Sequence, residues 1–175
     1  MALDRVEINL RKLIFILLIL PLLLVFGIGM VMNGDPLWFM STFDEMPARI
    51  VLYQNGCRTE LVAGQPGFAE LNSAVNQSLS QLSGFWATYG LSEDSLRYYR
   101  TQGNALELVY AKPVTIHSPY RFGHPDRLFI GLSDQLGQDR ALFGGHAAQY
   151  WAGAVRLKSI QGIQRAAENI SCSGN

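Results

Sequence analysis

Residues 13–32 read LIFILLILPLLLVFGIGMVM, a run of twenty positions without a charged or strongly polar side chain. The hydrocarbon core of a bilayer is about 30 Å thick, and about 20 helical residues with a rise of 1.5 Å each cross it. A secretory signal peptide has a shorter apolar region, of about 7–15 residues, followed by a cleavage site between small residues. The run therefore favours one uncleaved transmembrane helix over a cleaved signal, with residues 1–12 as a short stub before it.

Charged residues are distributed unequally on the two sides of this run. Arg11 and Lys12 lie directly before it, whereas residues 33–45 contain Asp35, Asp44 and Glu45 and no Lys or Arg. Basic residues near the ends of a span stay on the cytoplasmic side. The sequence therefore predicts a single-pass signal-anchor with a cytoplasmic N-terminus. The portion after the span is then expected in the periplasm or the extracellular space.

Residues 33–48, NGDPLWFMSTFDEMPA, are predicted to tether the span to a domain. Trp38 and Phe39 are of the types that settle at the headgroup level, as Arg11 and Lys12 do at the other end of the span. An extended chain rises at most about 3.4 Å per residue, which limits the tether to roughly 50 Å. We expect the domain to lie close to the bilayer or to a neighbouring membrane protein.

The order of local patterns predicts one mainly antiparallel α+β domain at residues 49–175. Asn55-Gly56 joins two strand-like runs and is the dipeptide typical of a type I′ hairpin turn. Apolar residues recur at helical spacing from Pro66 to about Ser83, and Ser92 is a candidate cap for a second helix. Strands and helices do not alternate regularly, which disfavours a parallel sheet. The later predicted elements are strands at 105–110, 114–117 and 127–132, a hairpin over 141–157 that turns at Gly144-Gly145, and a last helix capped by Ser159.

Two cysteines, Cys57 and Cys172, both lie in the portion predicted to be outside the cell. An oxidising compartment permits a disulfide between them, which would tie the end of the chain back to the first hairpin. Two unrelated free thiols are the alternative that the sequence leaves open.

The predicted helix at 66–83 has a polar face that is almost free of charge. Burying neutral amides costs less free energy than burying charges, so this face is a candidate partner surface. A merely solvated face is the plainer alternative. The amide residues of this candidate surface are Asn72, Asn76, Gln77 and Gln81.

Side chains able to bind a metal or an anion are concentrated in residues 117–127, HSPYRFGHPDR. His117, His124 and Asp126 are of the donor types that hold zinc or iron with positions left open for water or substrate. Their spacing matches no recognised ligand pattern, and histidines in loops are more often solvated. Arg121 and Arg127 can instead grip a carboxylate or a phosphate. No cofactor is predicted.

Composition and motifs narrow the function. The 14 basic and 14 acidic residues balance, and no basic block indicates nucleic-acid binding. The sequence contains no catalytic elbow, P-loop, dinucleotide fingerprint or haem-attachment pattern. We therefore expect a non-catalytic interaction domain, an accessory subunit or adaptor whose partners are the lipid bilayer and a membrane protein. The alternatives are an envelope enzyme, a metal-assisted hydrolase using the 117–127 loop, and a regulator acting laterally on a partner's membrane helix.

Overall fold

The computed structural model describes residues 10–86, 90–133, 140–147 and 149–172. Most of the predicted stub at 1–12, and the side chain of Arg11, lie outside this described part. Four helices and seven strands are found within it. In chain order they are α1 (Leu10–Asn33), β1 (Arg49–Gln54), β2 (Cys57–Leu61), α2 (Phe68–Leu79), β3 (Leu82–Trp86), α3 (Glu93–Thr101), β4 (Asn104–Val109), β5 (Arg127–Gly131), β6 (Ala141–His146), β7 (Gln149–Leu157) and α4 (Gln161–Glu168).

The seven strands form a single sheet in the order β2-β1-β4-β5-β6-β7-β3. Every neighbouring pair is antiparallel. The predicted class, α+β with a mainly antiparallel sheet, is confirmed.

Helix α1 contains the apolar run and is long and apolar enough to cross a membrane. The most apolar 18-residue stretch within residues 12–33 has a mean hydropathy of 3.0, and none of its residues is buried by the rest of the described chain. The helix ends where the side-chain amide of Asn33 donates to the carbonyl of Gly29 and the N–H of Gly34 donates to Met30. These bonds satisfy carbonyls that the last turn would otherwise leave open.

Side chains alternate between the two faces of the sheet, and each face is covered differently. Helices α2 and α4 pack on each other over one face, which we call the helix-pair face. Its core includes Ile50, Leu71, Leu106 and Leu128, none of which is exposed. The opposite face, here the α3 face, carries a smaller cluster in which residues such as Phe129 and Phe143 pack with Leu96 and Tyr99 of α3.

The first hairpin has the turn that the sequence predicts. Asn55 and Gly56 have φ angles of 50° and 86°, and Gln54 pairs with Cys57 across them. A Cβ atom on Gly56 would lie 2.7 Å from the carbonyl oxygen of Thr101, so the turn requires glycine there for space as well as for its backbone angle. The predicted cap at Ser92 is also confirmed, because its side chain accepts the N–H of Ser95.

Several predicted boundaries were wrong. The helix predicted to reach Ser83 ends at Leu79, and residues 82–86 form β3, an edge strand that the sequence analysis missed. Residues 114–117 form no strand; Val114 makes one backbone hydrogen bond, to Pro125, next to Pro113, which has no N–H to donate.

The last hairpin turns later along the chain than predicted, and the last helix begins later than predicted. Gly144 and Gly145 lie inside β6, and the hairpin turns after His146. Neither glycine has the positive φ angle that a tight hairpin turn uses, and Gly144 instead makes room for the ring of Trp151, which would lie 2.6 Å from a Cβ atom there. Ser159 accepts the N–H of Gln161, but the residue directly before α4 is Ile160.

The predicted tether folds onto the domain. Phe43 is buried in the core of the helix-pair face, and its N–H donates to the hydroxyl of Ser80 over 3.0 Å. Ala48 then donates to Val109 over 2.8 Å as the chain enters the sheet. The connection is therefore packed against the domain rather than extended as a stalk.

Candidate functional site

The register of the sheet brings the predicted site loop to the same end as the tether. Arg49, at the start of β1, pairs with Val109, which pairs with Arg127, which pairs with Gly145. We call this the tether end of the sheet. The loop between β4 and β5 and the turn between β6 and β7 both lie there.

A partly buried hydrogen bond joins the residues that follow α1 to this loop. Asp35 is only 7% exposed, and its Oδ2 lies 2.8 Å from Nδ1 of His117. Its other oxygen accepts the N–H of Leu37 over 2.9 Å. A small cavity of about 140 Å³ lies between residues 33–35 and the loop residues 115–124. We call this contact region the helix-end junction.

Trp38 and Phe39 add apolar contacts to the junction. A Cβ atom on Gly29 would overlap the indole ring of Trp38, so the ring lies directly on the helix backbone. The ring of Phe39 lies 5.9 Å from that of Phe26 in an edge-to-face arrangement. Gly29 and Phe26 precede Asn33 by about one and two helical turns. Residues 37–40 therefore double back along α1, and the headgroup-level position of the two aromatic side chains stays a prediction.

The three residues predicted as metal ligands do not converge. His117 is taken by Asp35, His124 lies 3.1 Å from the hydroxyl of Thr115, and Asp126 lies 2.7 Å from Nδ1 of His146. Within the described part of the chain, no three His, Cys, Asp or Glu side chains are grouped as a metal site would require. The geometry gives each residue a separate hydrogen-bonding partner, and the metal-assisted hydrolase stays an untested alternative.

The predicted amide surface is partly occupied by the protein's own tether. Asn76 is buried, and its side-chain N–H donates to Asp44 over 3.3 Å. Asn72 is half-buried, whereas Gln77 and Gln81 are exposed. Only the latter two remain open to a partner, and that role stays a prediction.

Cys57 and Cys172 form a disulfide across 115 residues of sequence, with their Cα atoms 6.3 Å apart. Cys57 pairs with Gln54 at the end of β1 opposite to Arg49. The disulfide therefore lies at the end of the sheet away from α1, which we call the disulfide end.

A buried carboxylate on the α3 face is the main polar feature that sequence reasoning missed. Glu107 is 3% exposed and accepts hydrogen bonds from the hydroxyls of Tyr53 and Tyr150, at 3.1 and 2.7 Å. Arg127 donates to it over 3.2 Å, and Arg100 of α3 lies 3.7 Å away. The only sequence signal is one carboxylate within the apolar run of β4.

This network links β1, β4, β5, β7 and α3. Burial, and secondly the negative charge of Glu107, raise the pKa of Tyr53 and of Tyr150, so both hydroxyls stay protonated as donors. Both carboxylate oxygens are bonded, and two guanidinium groups compensate the charge. Such an enclosed carboxylate is typical of a structural network rather than of an acid or base open to substrate.

A shallow groove of about 310 Å³ lies beside the helix-end junction, and sequence reasoning missed it as well. Phe85 of β3 and Trp151 of β7 form its apolar wall, and the loop residues Arg121 and His124 form its polar rim. Phe122 lies beneath, with its ring 6.3 Å from that of Trp151.

The end of α1, the Asp35–His117 hydrogen bond and this groove thus share the tether end of the sheet. The arrangement fixes one element against another and presents a mixed aromatic and cationic surface. Comparison with known proteins found no match to a family model, a curated protein or a solved structure.

Proposed function

We propose that this protein is a non-catalytic, membrane-anchored accessory subunit or adaptor whose α+β domain binds a membrane protein. The observation that carries the proposal is the helix-end junction, in which buried Asp35 bonds His117 of the domain. A domain fixed in this way stays at the bilayer surface. It cannot search a wide volume for soluble substrates, as an enzyme on a long stalk does.

Because the junction fixes α1 against the domain, a membrane protein beside α1 meets the helix and the domain as one continuous surface. The side chains of α1 from Leu13 to Met32 are largely exposed, so lipid or the helix of a partner must cover them in a membrane. Gly27 offers a close approach on this surface, because nothing lies within 4 Å of a Cβ atom placed there, whereas Trp38 fills the space at Gly29. A partner that packs on α1 is therefore also within reach of the tether end of the sheet.

Topology supports an extracytoplasmic domain. Lys12 precedes the apolar run and acidic residues follow it, as expected for a cytoplasmic N-terminus. The disulfide between Cys57 and Cys172 fits an oxidising compartment. The proposed location is the cell membrane, with the domain on the periplasmic or extracellular side.

The test is site-specific photo-cross-linking of the full chain in its native membranes. Photoreactive residues replace Leu22 on α1 and Gln77 on α2, both of which are exposed. We expect both positions to cross-link the same membrane protein. The matched control replaces residues 13–21 and 23–25 with an unrelated apolar sequence, keeps the photoreactive residue at position 22, and keeps residues 26–40, so that the junction is preserved.

In this control the cross-links should weaken while membrane insertion and the disulfide persist. Gly27→Leu should weaken the α1 cross-link in the same way, because the added side chain blocks close helix packing. Lipid adducts alone at Leu22, together with no protein adduct at Gln77, would overturn the subunit proposal.

A further inference from the structure

The groove beside the junction has an apolar wall that the domain leaves open. Phe85 is 45% exposed although it lies in a strand, and Trp151 is half-buried. The ring of Trp151 lies on Gly144, where a Cβ atom would be 2.6 Å away, so the ring is fixed rather than free. Exposed aromatic rings held in place are typical of binding surfaces.

The position of the groove relates it to the end of α1. Residues 121–124 line the groove on one side and the cavity that reaches Asn33, Gly34 and Asp35 on the other. Only this short stretch of loop separates the groove from the end of the apolar helix. If α1 crosses the bilayer, its end marks the headgroup level, and the groove opens at that level.

The chemistry of the lining suits an interfacial lipid. Arg121 is exposed and has no carboxylate partner within the described residues, and His124 lies beside it on the rim. No Asp or Glu lines the groove. A guanidinium group binds phosphate oxygens well, and aromatic rings settle between headgroups and acyl chains.

We infer that this groove holds a phospholipid of the adjacent leaflet. This inference rests on the proposed function, in which α1 spans the membrane. The phosphate lies at Arg121, and the upper part of an acyl chain lies against Phe85 and Trp151. The bound lipid fixes the domain's orientation on the bilayer, so that the same side of the domain always faces a partner.

The test measures quenching of Trp151 by lipid. The full chain with Trp38→Phe and Trp86→Phe, in which Trp151 is the sole tryptophan, is reconstituted into phosphatidylcholine vesicles brominated near the headgroup end of the acyl chains. We expect a loss of Trp151 fluorescence relative to unbrominated vesicles, because the ring would lie at the membrane interface. The matched control keeps only Trp86, which packs on the α3 face, and should be quenched much less.

Substitution at Arg121 tests the phosphate contact. Arg121→Gln should reduce the quenching of Trp151, and Arg121→Lys should retain most of it, because lysine keeps the charge without the planar fork. Equal quenching of Trp151 and Trp86, or quenching unaffected by Arg121→Gln, would overturn the inference. The inference would also be overturned if lipid did not protect Trp151 from quenching by acrylamide and only an added protein partner did.

These outcomes are separate from those of the proposed function. The vesicles contain no protein partner, so failure of quenching in a protein that inserts and keeps its disulfide refutes only the lipid site. Absence of protein cross-links at both Leu22 and Gln77 in the chain that keeps its own α1 refutes the subunit proposal and leaves a positive quenching result standing.

Discussion

The helix-pair face and the α3 face of the sheet are both buried, but by different kinds of interaction. On the helix-pair face, α2, α4 and the tether residue Phe43 cover a core of aliphatic and aromatic side chains. Burial of this kind is non-directional and tolerates exchange among apolar residues of similar volume. The stability of this face depends mainly on how much apolar surface is removed from water.

The α3 face is covered by one short helix, and its core contains a charge. Glu107 lies in the same sheet surface as Val51 and Phe129 and is bonded by two tyrosines and one arginine. Directional networks of this kind stabilise only while each partner is present, because a lone buried charge is costly. Removing one polar group should therefore destabilise the protein most on the α3 face, where the apolar core is smaller.

The largest expected loss of stability comes from emptying the two cores. It tests whether the α3 face is packed as a core. Leu128 and Phe129 are neighbours in β5, are both fully buried, and point to opposite faces. Leu128→Ala should lower the free energy of unfolding by about 2–5 kcal/mol, and Phe129→Ala by about 3–5 kcal/mol. Urea unfolding of the full chain in nonionic detergent measures both. A loss below about 1 kcal/mol for Phe129→Ala would show that the α3 face contributes little.

The next prediction concerns the carboxylate itself. Glu107→Ala leaves Arg127 and two tyrosine hydroxyls without their acceptor, so the free energy of unfolding should fall by about 3 kcal/mol or more. Glu107→Gln keeps the shape and one acceptor oxygen and should cost less. The same urea titration distinguishes the two variants. Equal losses would contradict this expectation and would mean that the charge accounts for the whole effect, with nothing contributed by the size or the remaining acceptor oxygen of the glutamine.

The helix-pair face could be predicted from the sequence because its signals are periodic. Leu71 and Val75 recur at helical spacing and Ile50 and Leu52 at strand spacing, and all four are buried in the one core. The α+β class and the Asn55-Gly56 turn followed from the same local rules. Local signals of this kind need no knowledge of the partner strand.

The candidate site could not be predicted in the same way, because its contacts join distant residues. Asp35 and His117 are 82 positions apart, and Tyr53 and Glu107 are 54 apart. Nothing in the local pattern identifies such partners, and the predicted metal ligands proved to have separate neighbours. Edge strand β3 was missed because LSGFW contains a glycine and follows a strong helical pattern without a break.

Each face of the sheet contains a tyrosine whose hydroxyl group can be removed by substitution with phenylalanine. The two substitutions compare the faces through the same chemical change. The hydroxyl of Tyr150 donates to Glu107 over 2.7 Å, whereas that of Tyr110, on the helix-pair face, has no hydrogen-bond partner within the described residues. Tyr150→Phe should lower the free energy of unfolding by about 1.5–3 kcal/mol, as for a bond to a charged group. Tyr110→Phe should leave it unchanged or raise it by up to about 1 kcal/mol. Thermal and urea unfolding at pH 7 measure the pair, and a reversed order would refute the assignment of directional bonding to the α3 face.

The smallest expected effect is the contribution of tyrosine ionisation to the free energy of unfolding, which is absent at neutral pH and appears only at alkaline pH. Burial, and secondly the charge of Glu45, raise the pKa of Tyr110; burial, and then the charge and hydrogen bond of Glu107, raise the pKa of Tyr150. A raised pKa in the folded protein means that the unfolded chain releases these protons first, above about pH 10. Below pH 10 these two tyrosines should therefore leave the free energy of unfolding unchanged. Above it, each tyrosine should lower that free energy by about 1.4 kcal/mol per pH unit until the folded form also ionises.

Urea unfolding between pH 9 and pH 11.5, with tyrosinate absorbance as the readout of ionisation, separates the two faces. Tyr110→Phe and Tyr150→Phe should each remove about 1.4 kcal/mol per pH unit from the slope. Glu107→Gln should leave most of the Tyr150 contribution, because burial is the larger cause of its shift. If Glu107→Gln instead abolishes that contribution, the charge of Glu107 rather than burial controls Tyr150. The α3 face would then depend on its network even more strongly than its geometry indicates.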